Sequence, residues 1–490
     1  MNVLFVAPKS KNMFGDSIDL SDGVEGSAGH PHLGLASLTS FLKAHDHRVE
    51  VYDHQITNCR TTLKKLIDNF KPDLIGVTAY SYSYLYVREM IDLLKSISPT
   101  QLVVGGPHVS ATNAEIVQSS PADFAVMAEG EFVLLDLLAA LERGDSDLSA
   151  IEGLIWRDGD RIAVNAPRPF IKDVDALPYP DYDAFPLEKY QCYQERLLPV
   201  ISSRGCPYQC TFCSVKLSMG RLFRKRSAES FVDELEHWVA KGWERFEFDD
   251  DCYTVDMKRV TKISNLIIER GLKIRYDIYN GIRVDRVSPE LLQGLKASGC
   301  SLVSFGLEAA NQQVLDNIRK QVTLDQVRDA VKWTKEAGLQ CSVNFILGHQ
   351  GETLATARES IAFARTLPTD FVNFYNLVPY PGTESFTWVK QNGRFLVPED
   401  EYLQNISYRD NEPIFETNEF TAQERRIAIK EGFKLYELKV LQFRLGKTLG
   451  YLIYLAMRFE PLARFARIKA MNSTGFIHIL YKFLSRKSHT

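Results

Sequence analysis

From residue 1 to about 145, short β-branched runs alternate with stretches of helical period, the pattern of a parallel sheet with crossover helices. The runs Val3 to Ala7, Arg48 to Tyr52, Leu74 to Thr78, Gln101 to Val104 and Phe124 to Val126 predict strands, and segments such as Leu35 to Leu42 and Val87 to Leu94 predict the helices between them. This is the form of a flavodoxin-like (Rossmann-type) α/β domain over 1–145, whose ligands bind beyond the carboxyl ends of the strands. Over 146–195 the pattern loosens into a linker. Within it, Gly153 to Trp156 and Arg161 to Val164 flank Asp158-Gly159 as a hairpin, and Leu177-Pro-Tyr-Pro-Asp-Tyr182 reads as extended chain. Strand–helix units resume over 196–390 and predict a barrel or partial barrel with its reactive groups at the strands' C-terminal ends. There the helix from Ser227 to Lys241, capped by Ser227, carries an apolar stripe of Phe231, Leu235, Trp238 and Val239 that serves packing. From 391 to 490 the pattern is helical, without strand alternation.

Composition changes this picture little. With 490 residues, 45% apolar and 24% charged, the chain has room for two or three ordinary globular domains. A net charge of -4 argues against a general nucleic-acid binder. The start Met1-Asn-Val-Leu-Phe-Val-Ala-Pro8 has no basic n-region and too short an apolar run for a signal peptide, so a cytoplasmic, reducing location is expected. Charge is uneven at the C-terminal end. Lys434, Lys439, Arg444, Lys447, Arg458, Arg464, Arg467, Lys469, Lys482, Arg486 and Lys487 face only Glu431, Glu437 and Glu460. The apolar run from Leu449 to Met457 is about half of the ~20 residues a membrane span needs. This basic, aromatic-rich segment fits either helices closing the barrel mouth or peripheral contact with an anionic membrane surface; the second would suit a lipid-like substrate.

The chemistry concentrates in Arg204-Gly-Cys-Pro-Tyr-Gln-Cys-Thr-Phe-Cys-Ser214. Cys206, Cys210 and Cys213 fit the ligands of a 4Fe–4S cluster, whose fourth iron would be left open for chemistry. The alternatives are a structural zinc site and a disulfide. Zinc wants a fourth Cys or His at paired spacing, and none follows nearby; a disulfide leaves one thiol over and suits an exported chain. Cys59, Cys192, Cys252, Cys300 and Cys341 are isolated in sequence and read as small buried hydrophobes.

With Phe212 before the last cysteine, the C-x-x-x-C-x-x-C run resembles the signature of radical S-adenosylmethionine enzymes. Over roughly residues 1–385 the chain is similar to the subgroup with an N-terminal cobalamin-binding domain. Taken alone, the loops Pro31-His-Leu-Gly-Leu-Ala36, Thr78-Ala-Tyr-Ser-Tyr-Ser-Tyr84, Gly105-Gly-Pro-His108 and Ala128-Glu-Gly-Glu131 are turns. In this order they resemble the subgroup's cobalamin loops, which implies cobalamin contacts at Leu33, Gly34, Thr78, Ser81, Gly105, Gly106 and Glu129. No D-x-H-x-x-G run is present, so no histidine is expected below cobalt; His30, His32, His54 and His108 are the alternatives.

In the barrel, Phe246-Glu-Phe-Asp-Asp-Asp-Cys-Tyr-Thr254 ends a strand in three carboxylates suited to a cation or an ammonium. The resemblance selects Asp250 and Asp251 for the methionyl amino group of S-adenosylmethionine, with a magnesium or calcium site as the alternative. It implies nucleoside contacts for Glu308, although Ala309 replaces the family's serine, and for Gly348 in Gly348-His-Gln-Gly-Glu-Thr353, where Gln350 replaces proline. Glu352 and Thr353 also fit a cap on the next helix. Arg283 fits either a bidentate carboxylate contact or a surface pair with Asp285.

The function implied is a cobalamin-dependent radical S-adenosylmethionine enzyme, a C-methyltransferase acting on an unactivated carbon of a small-molecule or lipid-like substrate. In the family, a 5′-deoxyadenosyl radical removes a substrate hydrogen, methylcobalamin donates the methyl group, and an external donor of flavodoxin or ferredoxin type supplies electrons. The alternatives are a non-methylating radical cyclase or ring-rearranging enzyme and, in another class, a cobalamin-dependent sensor with a structural cluster.

Overall fold

The structure is a computed structural model that describes residues 1–8, 29–57, 59–398, 401–405 and 412–458. The basic positions Arg464, Arg467, Lys469, Lys482, Arg486 and Lys487, with Glu460, lie outside the described residues.

The N-terminal strands are β1 (Asn2–Ala7), β2 (Arg48–Asp53), β3 (Leu74–Thr78), β4 (Gln101–Gly105), β5 (Phe124–Val126), β6 (Leu154–Asp158) and β7 (Arg161–Val164), in one sheet of order β2-β1-β3-β4-β5-β6-β7. β1 to β5 are parallel and flavodoxin-like in order. β1 and β3 are apolar on both faces because both are covered. Leu35, Leu42, Leu134 and Leu138 pack on one side, and Leu63, Ile67, Met90 and Leu94 on the other. The Asp158-Gly159 hairpin does more than connect: β6 pairs antiparallel with β5 and so covers what would be an open sheet edge.

The second sheet holds β8 (Leu197–Val200), then β11 (Arg245–Phe248), β12 (Arg275–Ile282), β13 (Cys300–Glu308), β14 (Gln340–Leu347) and β15 (Phe371–Asn376), all parallel in the order β15-β14-β13-β12-β11-β8. Between β8 and β11 lies a two-residue ladder of β9 (Ser203–Arg204) and β10 (Arg224–Lys225). No pairing closes β15 onto β8 among the described residues, so the sheet is a partial barrel. Period-2 alternation sorts its side chains. Phe246 and Phe248 are fully buried, and Phe248 meets Phe231 of the helix Ala228–Ala240 at 5.1 Å. On the opposite face Asn344 donates to Ser304 Oγ at 3.0 Å and Asn373 donates to Asn344 Oδ1 at 2.9 Å, giving a polar barrel interior.

The C-terminal region is helical as expected, with one short addition that the sequence pattern did not show, the antiparallel pair β16 (Gly393–Phe395) and β17 (Phe415–Thr417). The helix Ala422–Leu445, with a capping box at Thr421 and Glu424, covers the open edge at β15. There Gly432 lets it approach so closely that an added Cβ would lie 2.6 Å from the Phe374 ring. The helix Lys447–Arg458 folds back on it at Gly450, where a Cβ would meet Leu441 at 2.6 Å.

Candidate active site

The three cysteines occupy one excursion. Arg204 and Arg224 are cross-strand partners, so residues 205–223 form the loop of a β9–β10 hairpin. Its entry is held from below. Asp250, fully buried, accepts from Ser202 N at 3.2 Å and Ser202 Oγ at 2.8 Å, and also from Ser203 Oγ. Asp251 accepts from Gly205 N at 2.9 Å. Burial pushes the Asp251 carboxyl up to about 6 despite that bond. Gly205 has φ +82°, and a Cβ there would lie 2.4 Å from the Leu222 carbonyl oxygen, so only glycine fits. Asp250 and Asp251, expected to hold an amino group of a nucleotide, thus have carboxylates engaged by the chain's own loop.

The acidic side chain that faces the interior is Asp249, in phase with Glu247. It makes no side-chain hydrogen bond among the described residues. Burial, then Glu247 and Asp250, hold its carboxyl well above the usual range. The alternation Phe246, Phe248 against Glu247, Asp249 was the signal that could have selected it.

All three cysteine thiols are partly buried. Cys252, isolated in sequence, is brought against Cys206. Their interaction lowers the Cys206 thiol, while Cys252 itself is pushed up. Burial raises Cys210 and takes Cys213 up to about 12. Among the described residues no three Cys, His, Asp or Glu converge on a single metal ion. Phe212 packs beside the His349 ring at 5.2 Å, under Lys320 at 5.9 Å.

Two further expected contacts are engaged elsewhere. Glu308, at φ +76°, accepts from Lys320 Nζ at 2.7 Å in a buried pair. Arg283 is buried rather than superficial. It donates to Asp285 at 2.8 Å and to the Lys320 carbonyl at 2.8 Å, and stacks 3.6 Å over Tyr208, which leaves no open fork for a ligand carboxylate. Gly348, at φ +111°, admits a close neighbour, and that neighbour is the Arg425 guanidinium, 2.4 Å from where a Cβ would stand. Arg425 is fully buried over Phe415 at 3.9 Å. Glu352 accepts from the Gly348 and His349 amides, and Thr353 caps the helix Leu354–Thr366.

The N-terminal loops gather at the carboxyl ends of β1, β3, β4 and β5. His32 caps the helix Leu33–Lys43, its Nδ1 accepting from Leu35 N at 3.1 Å and its Nε2 lying 3.3 Å from Thr78 Oγ1. Burial lowers His32 to about 4. Gly34 sits under that ring, where a Cβ would be 3.2 Å away. Ser81 Oγ meets His108 Nδ1 at 3.1 Å. Gly105 has open space beside it, its added Cβ meeting only Val126 at 3.9 Å, whereas at Gly106, φ +116°, a Cβ would strike the Ala79 carbonyl at 2.7 Å. The hydroxyls, the bare backbone at Gly105 and the stacked Tyr80 and Tyr82 rings fit a large, flat, polar-edged group. Burial, and then the Asp249 carboxyl, push the Tyr80 hydroxyl up to about 12.

Glu129 is the exception. Rather than facing a ligand, it accepts from Arg224 Nη1 at 2.7 Å and Arg204 Nη1 at 2.8 Å, while Glu131 accepts from Arg204 Nη2 at 2.8 Å. The pairing joins residues 95 apart, and no local sequence signal could have shown it.

Residues 200–364 match the family model of the radical SAM superfamily, and residues 25–138 that of the B12 binding domain. An uncharacterised methyltransferase of Pyrococcus horikoshii is 31% identical over 465 residues, 94% of this chain and 97% of that protein. The anaerobic magnesium-protoporphyrin IX monomethyl ester cyclase of Rubrivivax gelatinosus is 28% identical, over 79% of this chain and 69% of its own. Among solved structures, the radical S-adenosylmethionine methyltransferase TsrM of Kitasatospora setae, with tryptophan and an S-adenosylmethionine analog bound, aligns at TM-score 0.67 and 21% identity, covering 81% of this chain and 79% of that one.

Proposed function

The chain belongs to the radical S-adenosylmethionine enzymes that carry a B12-binding domain, and on that premise we propose that it is a C-methyltransferase acting on an unactivated carbon of a small-molecule or lipid-like substrate. What supports the reading is one arrangement: the cysteine excursion is tied to the B12-binding domain by Glu129 through Arg204 and Arg224. When bound, a 4Fe–4S cluster with S-adenosylmethionine supplies hydrogen abstraction, and cobalamin supplies methyl transfer. Cys206, Cys210 and Cys213 hold the cluster. Leu33, Gly34, Thr78, Ser81, Gly105 and Gly106 line the cobalamin face. Asp249, its carboxyl held well above the usual range by burial and then by Glu247 and Asp250, faces the barrel interior. An external flavodoxin- or ferredoxin-type donor and a cytoplasmic location complete the proposal.

The likeness to a cyclase over most of the chain favours ring closure as the second reading. Anaerobically reconstituted protein, given S-adenosylmethionine and a reductant, is expected to release 5′-deoxyadenosine well above a cluster-free control. No release above that control would end both readings. With a substrate in hand, a product heavier by one methylene separates methylation from cyclisation.

No described helix is long and apolar enough to cross a membrane. The helix Lys447–Arg458 nevertheless turns Leu449, Tyr451, Leu452 and Leu455 outward, Leu452 being 56% exposed. With the basic excess around it, this stripe suits the surface of an anionic bilayer. Co-sedimentation with anionic, but not zwitterionic, liposomes is expected, and Leu452→Glu should abolish it. Equal, negligible binding to both would dismiss the contact.

A further inference from the structure

The ion network between the two domains touches the cysteine excursion at both of its ends. Arg204 stands immediately before Gly205-Cys206, and Arg224 closes the same hairpin. One carboxylate grips both. Glu129 Oε1 accepts from Arg224 Nη1 at 2.7 Å and from Arg204 Nη1 at 2.8 Å; Oε2 accepts from Arg224 Nη1 at 2.7 Å and from Ile171 N at 2.8 Å. Both oxygens are saturated, and Glu129, Glu131, Arg204 and Arg224 balance in charge. Glu129 and Arg224 are buried, where removing one member of such a set leaves an uncompensated charge. Arg224 extends the grip inside the loop by donating to the Met219 carbonyl at 2.8 Å, and Cys206 N donates to the Gly220 carbonyl at 3.2 Å.

On its other side, Glu129 is continuous with the glycine turn of the B12-binding domain. Ala128, which precedes it, sits at φ +58°, a conformation that a non-glycine residue holds only when its surroundings enforce it. Its amide donates to Ser110 Oγ at 2.9 Å, and Ser110 Oγ donates to the Gly106 carbonyl at 3.3 Å. A path of hydrogen bonds and adjoining peptide links therefore runs from Gly106 through Ser110, Ala128 and Glu129 to Arg204, Arg224 and Cys206.

We infer that Glu129 is a positioning residue that links the order of the cluster-binding excursion, 205–223, to occupancy of the cobalamin site. Each group bound at one end stiffens the path that the other must order. The linkage is reciprocal, so whatever factor cobalamin confers on the loop, the assembled cluster confers on cobalamin affinity. The inference rests on the cobalamin reading above.

The test is amide hydrogen exchange, followed by mass spectrometry, on the full chain without a cluster, with and without hydroxocobalamin. In the wild type, cobalamin should slow exchange across 205–223 by about fivefold or more, the lower end of linked binding. In Glu129→Gln, exchange there should be faster from the outset, and added cobalamin should no longer slow it. Glu131→Gln, which removes one of the two carboxylates on Arg204 and leaves Glu129 in place, should show a reduced but measurable effect and keeps the test open if Glu129→Gln does not fold. A purely structural role would accelerate exchange in both states equally and leave the cobalamin effect intact; that result, or a wild type that retains cobalamin on desalting with no change at 205–223, overturns the inference. A wild type that retains no cobalamin would sink the cofactor reading, and this inference with it.

Discussion

Cys210→Ala is expected to empty the site of iron and sulfide and to bring 5′-deoxyadenosine formation down to the background of a cluster-free sample, while cobalamin still binds, weakened only by the linkage inferred above. Two thiolates cannot hold three corners of a cubane. Cys206 is the poorer probe, because Cys252 lies against it and offers a substitute ligand. Cobalamin should survive because its expected contacts sit on the loops of β1, β3 and β4, whose core is built from apolar side chains of the N-terminal sheet. Iron and sulfide assay, the visible spectrum and nucleoside chromatography read the three outcomes separately. A Cys210→Ala protein that still carries a cluster and cleaves S-adenosylmethionine would contradict the ligand assignment.

Asp250→Ala is expected to destabilise the protein before any cofactor is added. The substitution leaves Ser202 N, Ser202 Oγ and Ser203 Oγ without their acceptor in a place with no access to water. Each buried donor left unpaired costs about 1–3 kcal/mol, part of which relaxation recovers, so a loss of roughly 2–5 kcal/mol is anticipated. Arg259, whose guanidinium donates to the Ser202 carbonyl at 2.9 Å, also loses a neighbouring negative charge. Denaturant unfolding of the cofactor-free chain measures the loss directly. Were Asp250 instead a contact for the methionyl amino group, the cofactor-free protein would keep its stability and only nucleotide affinity would fall. Asp249→Asn provides the contrast, since its carboxylate bonds to nothing in the described chain and should be replaceable without loss of fold.

These two aspartates show where reading along the chain succeeds and where it stops. That a carboxylate run ends a barrel strand was visible, because strand identity follows from local period. Which carboxylate looks inward depends on the phase set by Phe246 and Phe248 against the Ala228–Ala240 helix, a long-range fact with only a faint local trace. Arg283, read as a ligand fork or a surface pair, became a buried brace because residues 320–321 return across the barrel to accept from its Nη2. The hairpin at Asp158-Gly159 was legible as a hairpin, yet its place on the edge of β5 was not, since edge pairing is chosen by what else lies exposed.

Local spacing alone singled out the cysteine trio, the parallel strands with their crossover helices, and the glycine and hydroxyl loops at the strand ends, because spacings and periodicities of that kind are written within a few consecutive residues. Tertiary structure decided the rest: Cys252 beside Cys206, Arg425 filling the space at Gly348, and Glu129 gripping both ends of the cysteine excursion instead of a ligand. Each of these joins residues far apart in the chain, and a buried charge takes as its partner whichever group the packed fold brings within reach.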